Sequence, residues 1–513
     1  MKNKKGFTLI ELLAVIIILA VIALIATPIV LNVVDNARKS ANKDSAYGLL
    51  DSAKLYYMES LLDESKSLSG NLIDKINVSG RKPDSGEVYV NNRGEIALSV
   101  VYDKVCFTKN YEDTDLTESD DIENCIVTVP KELYKDTVLN GADPELKDNL
   151  VAVTINTDGT VKKADIYSEW YNYTNKTWAN AVLLNGDDTY SAGDTIEENK
   201  IKAYYVWIPR YKYQIFYDGV NDTTKQLINI EFENKDTIKS NGTTKGEWLT
   251  HPAFTFGEEE LNGIWVGKFE LTGDTTNPTI KPNITSLTNQ NVSTLFVTTQ
   301  KLSTNSSMLK NIEWGAVAYL TTSIYGQGLT EVRINNSSTY ITGCAATKEN
   351  GSEYNGCENA YNTQVGVLAS TTGNISGIYD MSGCSFEYVM GVMEDSLNSN
   401  IPSSGANSKN NSGFTGKNTY DNSNTLGIAF PESKYYDIYK YGASHSDFAR
   451  YHLGDATTEI KGWNGDIAYF VYPSSPWFKR GGLYFFGSNA GVFAFVQNNG
   501  QANTFDSARA VLR

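Results

Sequence analysis

The sequence predicts an α+β protein in which one very long N-terminal helix is followed by many short strands. Three observations carry that expectation. From Leu12 to Leu31 only Thr27 and Pro28 interrupt the apolar residues, and that length matches the roughly 20 residues that span a bilayer's hydrocarbon core. Apolar residues then continue at helical spacing, through Val30, Val33, Val34, Ala37 and Ala41 to Ala46, Leu49, Leu50, Ala53 and Tyr57. The rest of the chain holds most of the 32 tyrosines and, in its C-terminal half, is dense in Asn, Ser, Thr and Gly. That profile suits short strands joined by polar turns.

The start of the chain reads Gly6-Phe7-Thr8-Leu9-Ile10-Glu11-Leu12-Leu13. Glu11 is the anomaly, because an unpaired charge near the membrane centre costs roughly 2.5 kcal/mol or more. A plain single-pass anchor has no need of it, and a signal peptide has a shorter apolar region with a small-residue cleavage site. With the basic leader Met1 to Lys5, this stretch resembles the N-terminal signature of type IV pilins and pseudopilins. The resemblance implies that a prepilin peptidase cuts after Gly6 and methylates the new N-terminus at Phe7. It also implies that Glu11 pairs with the Phe7 ammonium of a neighbouring subunit during assembly with other pilin subunits. Pro28 falls where many pilins carry a helix-kinking proline, since proline removes one backbone hydrogen bond. Lys2, Lys4 and Lys5 hold the leader on the cytoplasmic side. The precursor is therefore expected in the cytoplasmic membrane, with everything after about Asn36 outside and destined for a filament or the cell surface.

A helix from Phe7 to about Leu62 is roughly 80 Å long at 1.5 Å per residue. Its second half should pack on a small antiparallel sheet, built from Gly86 to Val90, a turn at 91–94 and Glu95 to Tyr102, which has hairpin character. Residues 1–6 are then a leader and 7–130 a pilin-like helix and sheet. The acidic loop from Glu112 to Glu123 has no ligand pattern and reads as a solvated face.

Five cysteines fall at Cys106, Cys125, Cys344, Cys357 and Cys384. None forms a CxxC pair and only three histidines are present, so no metal site is indicated. Export permits disulfides. The sequence-local candidates are Cys106 with Cys125 and Cys344 with Cys357, which leaves Cys384 as a buried thiol.

Residues 131–200 alternate turn signals such as Asn185-Gly186 with strand-like runs such as Leu150 to Ile155, and read as a β-rich spacer. Residues 201–513 carry a second set of landmarks: the aromatic strands Tyr205 to Tyr211 and Gly263 to Glu270, a short helix from Asn311 to Leu320, then Asp380-Met381, Glu387-Tyr388, Arg480-Gly481-Gly482 and Arg509. Their order resembles the sulfatase-modifying-factor, or formylglycine-generating-enzyme-like, branch of the C-type lectin fold. The oxidase members of that branch use a pair of cysteines near the C-terminus, and none follows Cys384 here. Calcium-dependent lectin signatures are also missing, with Trp463-Asn464-Gly465-Asp466 only a loose echo. No catalytic residues, no enzyme activity and no cofactor are expected. The whole chain is thus expected as a pilin helix with a small sheet, a spacer, and a large C-type-lectin-like domain.

What that leaves is recognition. Between Gly482 and Gly500 aromatics alternate with small polar residues, a composition that suits binding surfaces. Tyr484, Phe486, Ser488 and Asn489 are the candidates for contact with a glycan or protein ligand, whereas Phe493 and Phe495 share a strand face and belong to the core. A pair of core strands with a turn at Asn498-Asn499-Gly500 is the plainer reading. His445 and His452 lack carboxylate partners in the pattern. The stretch from Asn398 to Asn424 reads as a long polar loop. A net charge of −16 excludes binding to nucleic acid through clustered cations.

Two functional classes follow. One is a filament subunit, minor or tip-located, displaying a lectin-fold domain for adhesion. The other is a pseudopilin of a secretion or uptake system with a structural or substrate-selecting role. The C-terminal layout is also similar to ligand-binding targets diversified by retroelements.

Overall fold

A computed structural model describes residues 8–513 apart from 63–65, 67, 69, 79, 92–93, 128–132, 148, 221–223, 352, 396–397, 403–410, 416–427, 441–452 and 461–462. The chain is α+β and divides into two compact units, residues 1–132 and 133–513. Gly6, Phe7, His445 and His452 lie outside the described residues, as does most of the polar stretch between Asn398 and Asn424.

In the first unit, α1 runs without interruption over Leu9–Ser60, 52 residues. Pro28 sits inside it, and the Thr27 hydroxyl one residue earlier donates to the Ala23 carbonyl at 2.6 Å. From Leu9 to Val34 the large apolar side chains are exposed, so the unit by itself gives this half of the helix nothing to pack on. It is long and apolar enough to cross a membrane.

Further along, Ala46, Leu49, Leu50 and Ala53 are buried, the i, i+3, i+4, i+7 positions of one helix face. They meet Val88, Val90, Leu98, Val100 and Phe107 on an antiparallel meander of β1 (Ser85–Val90), β2 (Ile96–Tyr102), β3 (Val105–Lys109) and β4 (Thr117–Ser119). The expected hairpin is β1 and β2, paired from Ser85 against Val101 to Val90 against Ile96. A disulfide joins Cys106 on β3 to Cys125. The acidic loop is a solvated face, where Lys39 pairs with Asp120 at 3.0 Å and Asn124 donates to Asp121 at 2.7 Å.

The second unit is built on two large sheets. The first takes β5 (Leu150–Ile155), β6 (Val161–Lys163), β7 (Asn180–Leu184), β8 (Ile201–Pro209), β9 (Gly263–Gly267) and β10 (Ser306–Met308), closed by the final strand β17 (Ala510–Leu512). Their spatial order is β10-β17-β9-β8-β7-β5-β6. This corrects the expectation for residues 131–200. They are no separate spacer: β7 pairs with β8 from Asn180–Val206 to Leu184–Ile201, and β5 extends the sheet beyond it. Turn signals at 185–200 mark a loop between two paired strands, and Trp178 and Ala181 belong to the large core.

The second sheet is centred on β11 (Phe386–Asp395), which pairs with β12 (Asn398–Pro402), β13 (Asp437–Tyr439), β14 (Trp477–Gly481) and β16 (Asp506–Ala508), while β15 (Gly491–Asn498) pairs with β14. Two helices, α2 (Val292–Gln300) and α3 (Asn311–Thr321), lie in this unit beside several smaller sheets. Every residue of α3 is buried, so the expected short helix is a core element and not a surface one. Tyr439 is buried, and Tyr435 and Tyr436 pack against the core.

The landmark residues meet where the two sheets join. β16 belongs to the second sheet and β17 to the first, and Arg509 lies between them. Its guanidinium donates to both Glu387 carboxylate oxygens at 3.0 and 2.5 Å, to the Gly267 carbonyl at 2.7 Å and to the Tyr379 carbonyl at 2.9 Å. Arg480 is equally buried and donates to Asn311 at 2.8 Å and to the Ala494 carbonyl at 3.1 Å. Asp380 accepts from Asn335 and from the Gly343 amide, each at 2.8 Å. These residues are structural keystones, which explains their place at element ends.

A further buried carboxyl gives the unit a pH signature. Glu459 accepts from Tyr213 at 2.7 Å, Tyr319 at 2.5 Å and the Gly454 amide at 2.7 Å. Burial outweighs these bonds and pushes its pKa up to about 7. A carboxyl that holds its proton more tightly when folded contributes stability that is present below its unfolded pKa, about 4.3, and lost as pH rises toward 7. The stability of wild type relative to Glu459→Gln should therefore fall across that window, by up to about 1.4 kcal/mol per pH unit. Urea unfolding at a series of pH values checks it; a difference independent of pH contradicts it.

Candidate functional site

Two places carry functional potential, one in each unit. In the first, Thr8 caps α1. Its amide and its hydroxyl both donate to Glu11 Oε2 at 2.9 Å, and the Glu11 amide donates back to the Thr8 hydroxyl at 3.4 Å. This reciprocal box satisfies helix N–H groups that would otherwise lack partners. It holds the Glu11 carboxylate at the helix N-terminus, where the macrodipole favours negative charge. Among the described residues both bonds to the Glu11 carboxylate go to Oε2, and Glu11 is exposed.

In the second unit, the chain leaves β14 through Gly481 and Gly482 at φ +84° and +82°. It makes an excursion over Leu483 to Ala490 and re-enters the sheet as β15. Gly482 is required twice: its φ is left-handed, and a Cβ there would lie 2.6 Å from the Ala490 Cα. Gly482→Ala is expected to cost about 2 kcal/mol or more from strain and backbone displacement, read as a lowered urea midpoint; an unchanged midpoint contradicts it.

Within the excursion the Tyr484 amide donates to the Cys384 carbonyl at 3.0 Å, and a single 3-10 turn spans Gly487–Asn489. Ser488 and Asn489 are exposed, as expected. Tyr484 and Phe486 are only half-exposed, and the ring that faces solvent is Phe485, 51% exposed. The correction has a simple cause. Strand alternation would put 484 and 486 on one face, but this segment is a turn.

The three rings form a connected ladder. Phe485 lies 5.0 Å from Tyr484 and 5.2 Å from Phe486, edge to face in both cases. Tyr484 leans on Tyr340 at 5.4 Å and Phe486 on the buried Phe386 at 5.3 Å. Phe493 and Phe495 are buried core residues of β15. Tyr340 and the loop after it are the parts sequence reasoning missed. That loop is closed by the disulfide between Cys344 and Cys357, and it carries the exposed Glu353 and Tyr354. The Glu353 carboxylate lies beside Tyr484; burial first and then that charge raise the phenol's pKa. Only their distance in sequence hid this pairing.

Cys384 is a free, buried thiol, and burial followed by the charges of Glu270 and Asp380 pushes its pKa well up, the opposite of an activated nucleophile. Among the described residues no group of three or more His, Cys, Asp or Glu side chains is placed to hold a metal ion.

A search of curated proteins finds no match to this chain. A family profile described as the prokaryotic N-terminal methylation motif matches residues 1–27. That motif implies processing by a prepilin peptidase and assembly with other pilins. Together with the long apolar helix it makes the N-terminal part of this chain type IV pilin-like and fits a membrane-anchored precursor.

Proposed function

We propose that the chain is a minor or tip subunit of a type IV pilin-like filament, and that residues 133–513 form a lectin-fold recognition domain used for adhesion to a surface or host molecule. The observation that carries the first half is the capped Glu11 at the head of an exposed apolar helix within the matched motif. The second half is supported by the landmark residues of the sulfatase-modifying-factor-like pattern converging on Arg509 and Arg480. It is supported too by the aromatic ladder of Tyr484, Phe485 and Phe486, of which Phe485 faces solvent, with the exposed Ser488 and Asn489 beside it. The domain is read as a binding module and not as an enzyme.

A subunit that must stack around its helix at every filament position has little room for a second unit as large as residues 133–513. Low copy number follows from that bulk. Immunogold labelling of purified filaments is expected to mark tips or sparse positions; continuous labelling along the length would refute the minor role. A pseudopilin of a secretion or uptake system is the second reading, favoured by the same N-terminal motif, and attachment unchanged on deletion of the gene would select it.

A further inference from the structure

We infer that the surface formed by Phe485, Tyr484 and the Cys344–Cys357 loop binds a protein segment that presents an arginine or lysine next to an apolar side chain. This rests on the reading of residues 133–513 as a recognition domain and names the chemistry of its ligand.

The first argument is pre-organisation. A phenylalanine that is half exposed yet fixed on both sides by neighbouring rings has already lost the freedom that binding would otherwise take from it. The path Phe485, Phe486, Phe386 leads edge to face into buried structure. Tyr484 is braced separately on Tyr340. Rigid aromatic anchors of this kind dominate the energetics of protein interfaces.

The second argument is charge. Glu353 is exposed on the disulfide-closed loop beside Tyr484, and Tyr484 is in edge-to-face contact with the exposed Phe485, so a carboxylate and aromatic rings border one surface. Aromatic faces attract cations, and a guanidinium can bond a carboxylate while stacking on a ring. Lys479 does not offset this. It is buried, its ammonium lies 4.3 Å from the centre of the Phe386 ring, and it pairs with Asp506 at 2.9 Å. The net charge of −16 steers a cationic partner toward the protein as a whole. An apolar neighbour of the cation would cover Phe485, while Ser488 and Asn489 supply the adaptable polar rim.

The test uses the full chain in detergent micelles and an array of short peptides that carry Arg or Lys, Glu, or Ser beside a leucine, printed together with a panel of neutral and acidic glycans. The expected result is retention on the Arg and Lys peptides, weakened by salt. It should fall about tenfold or more in Phe485→Ala and in Glu353→Gln, and recover in Phe485→Tyr. Both positions are exposed, and an unchanged unfolding midpoint keeps the fold out of the comparison. Binding that depends on Phe485 but is indifferent to peptide charge overturns the inference and leaves the recognition reading standing, as does binding to glycans alone. Retention of basic peptides that neither substitution alters overturns the inference. No binding to any probe overturns both.

Discussion

Replacing Arg509 by methionine should destabilise residues 133–513 by about 3–5 kcal/mol, the cost of leaving a buried charge without its partner. The reason is the company it keeps. Glu270, Asp380 and Glu387 are all buried within the same region, and Arg509 makes its two-pronged ion pair with Glu387. Burial and the charges of Glu387 and Asp380 push the Glu270 pKa well up; burial also raises Glu387, to about 7, against the pull of the Arg509 guanidinium, so Glu270 holds its proton the more firmly of the two and Glu387 is the carboxyl paired with Arg509. That division predicts a contrast between two isosteric changes. Glu270→Gln replaces one neutral group by another and should shift stability by less than about 1 kcal/mol. Glu387→Gln leaves the guanidinium unpaired and should cost several times more. Urea unfolding of the three variants measures all three effects; equal losses at Glu270 and Glu387 would contradict the assignment.

Glu11→Leu is expected to insert into the membrane at least as well as wild type, yet to enter filaments poorly. Losing the capping box costs about 1 kcal/mol at the helix end. On the proposed pairing with a neighbouring subunit's N-terminal ammonium, the larger effect lies between subunits. A neighbouring ammonium placed among apolar helices without its carboxylate loses a pair worth about 3–5 kcal/mol, which corresponds to a hundredfold or greater loss of assembly. Quantitative immunoblotting of sheared filaments against the membrane fraction reads the ratio. Glu11→Gln should fall short of wild type as well, because it keeps the hydrogen bonds to Thr8 and removes the charge. Incorporation of Glu11→Leu at the wild-type level would contradict the pairing.

What the sequence makes legible here is what depends on neighbours along the chain. The apolar run and the spacing of Ala46, Leu49, Leu50 and Ala53 place α1 and its buried face. The alternation either side of Asn91 places the hairpin of β1 and β2. The short intervals between Cys106 and Cys125 and between Cys344 and Cys357 place both disulfides. What escapes is what depends on distant partners. β5 and β7 look like spacer strands until β8 is seen paired with β7. Glu459 carries no signal of its own, since its phenol partners Tyr213 and Tyr319 lie 246 and 140 residues away in sequence. At the candidate binding surface, the interleaving of aromatic and small polar residues pointed to Tyr484 and Phe486. The two adjacent glycines turn the chain there instead and expose Phe485, while Glu353 arrives from a loop far upstream.

The central claim is that this chain is made as a pilin-like precursor and matured at the Gly6–Phe7 bond. Mass spectrometry of the N-terminal peptide, from the protein produced together with a prepilin peptidase, tests it most directly. The mature chain should begin at Phe7 with a single methyl group on its amine, and Gly6→Val should keep residues 1–6 attached. A mature protein that retains its leader, or one cut beyond the apolar run, would contradict the claim.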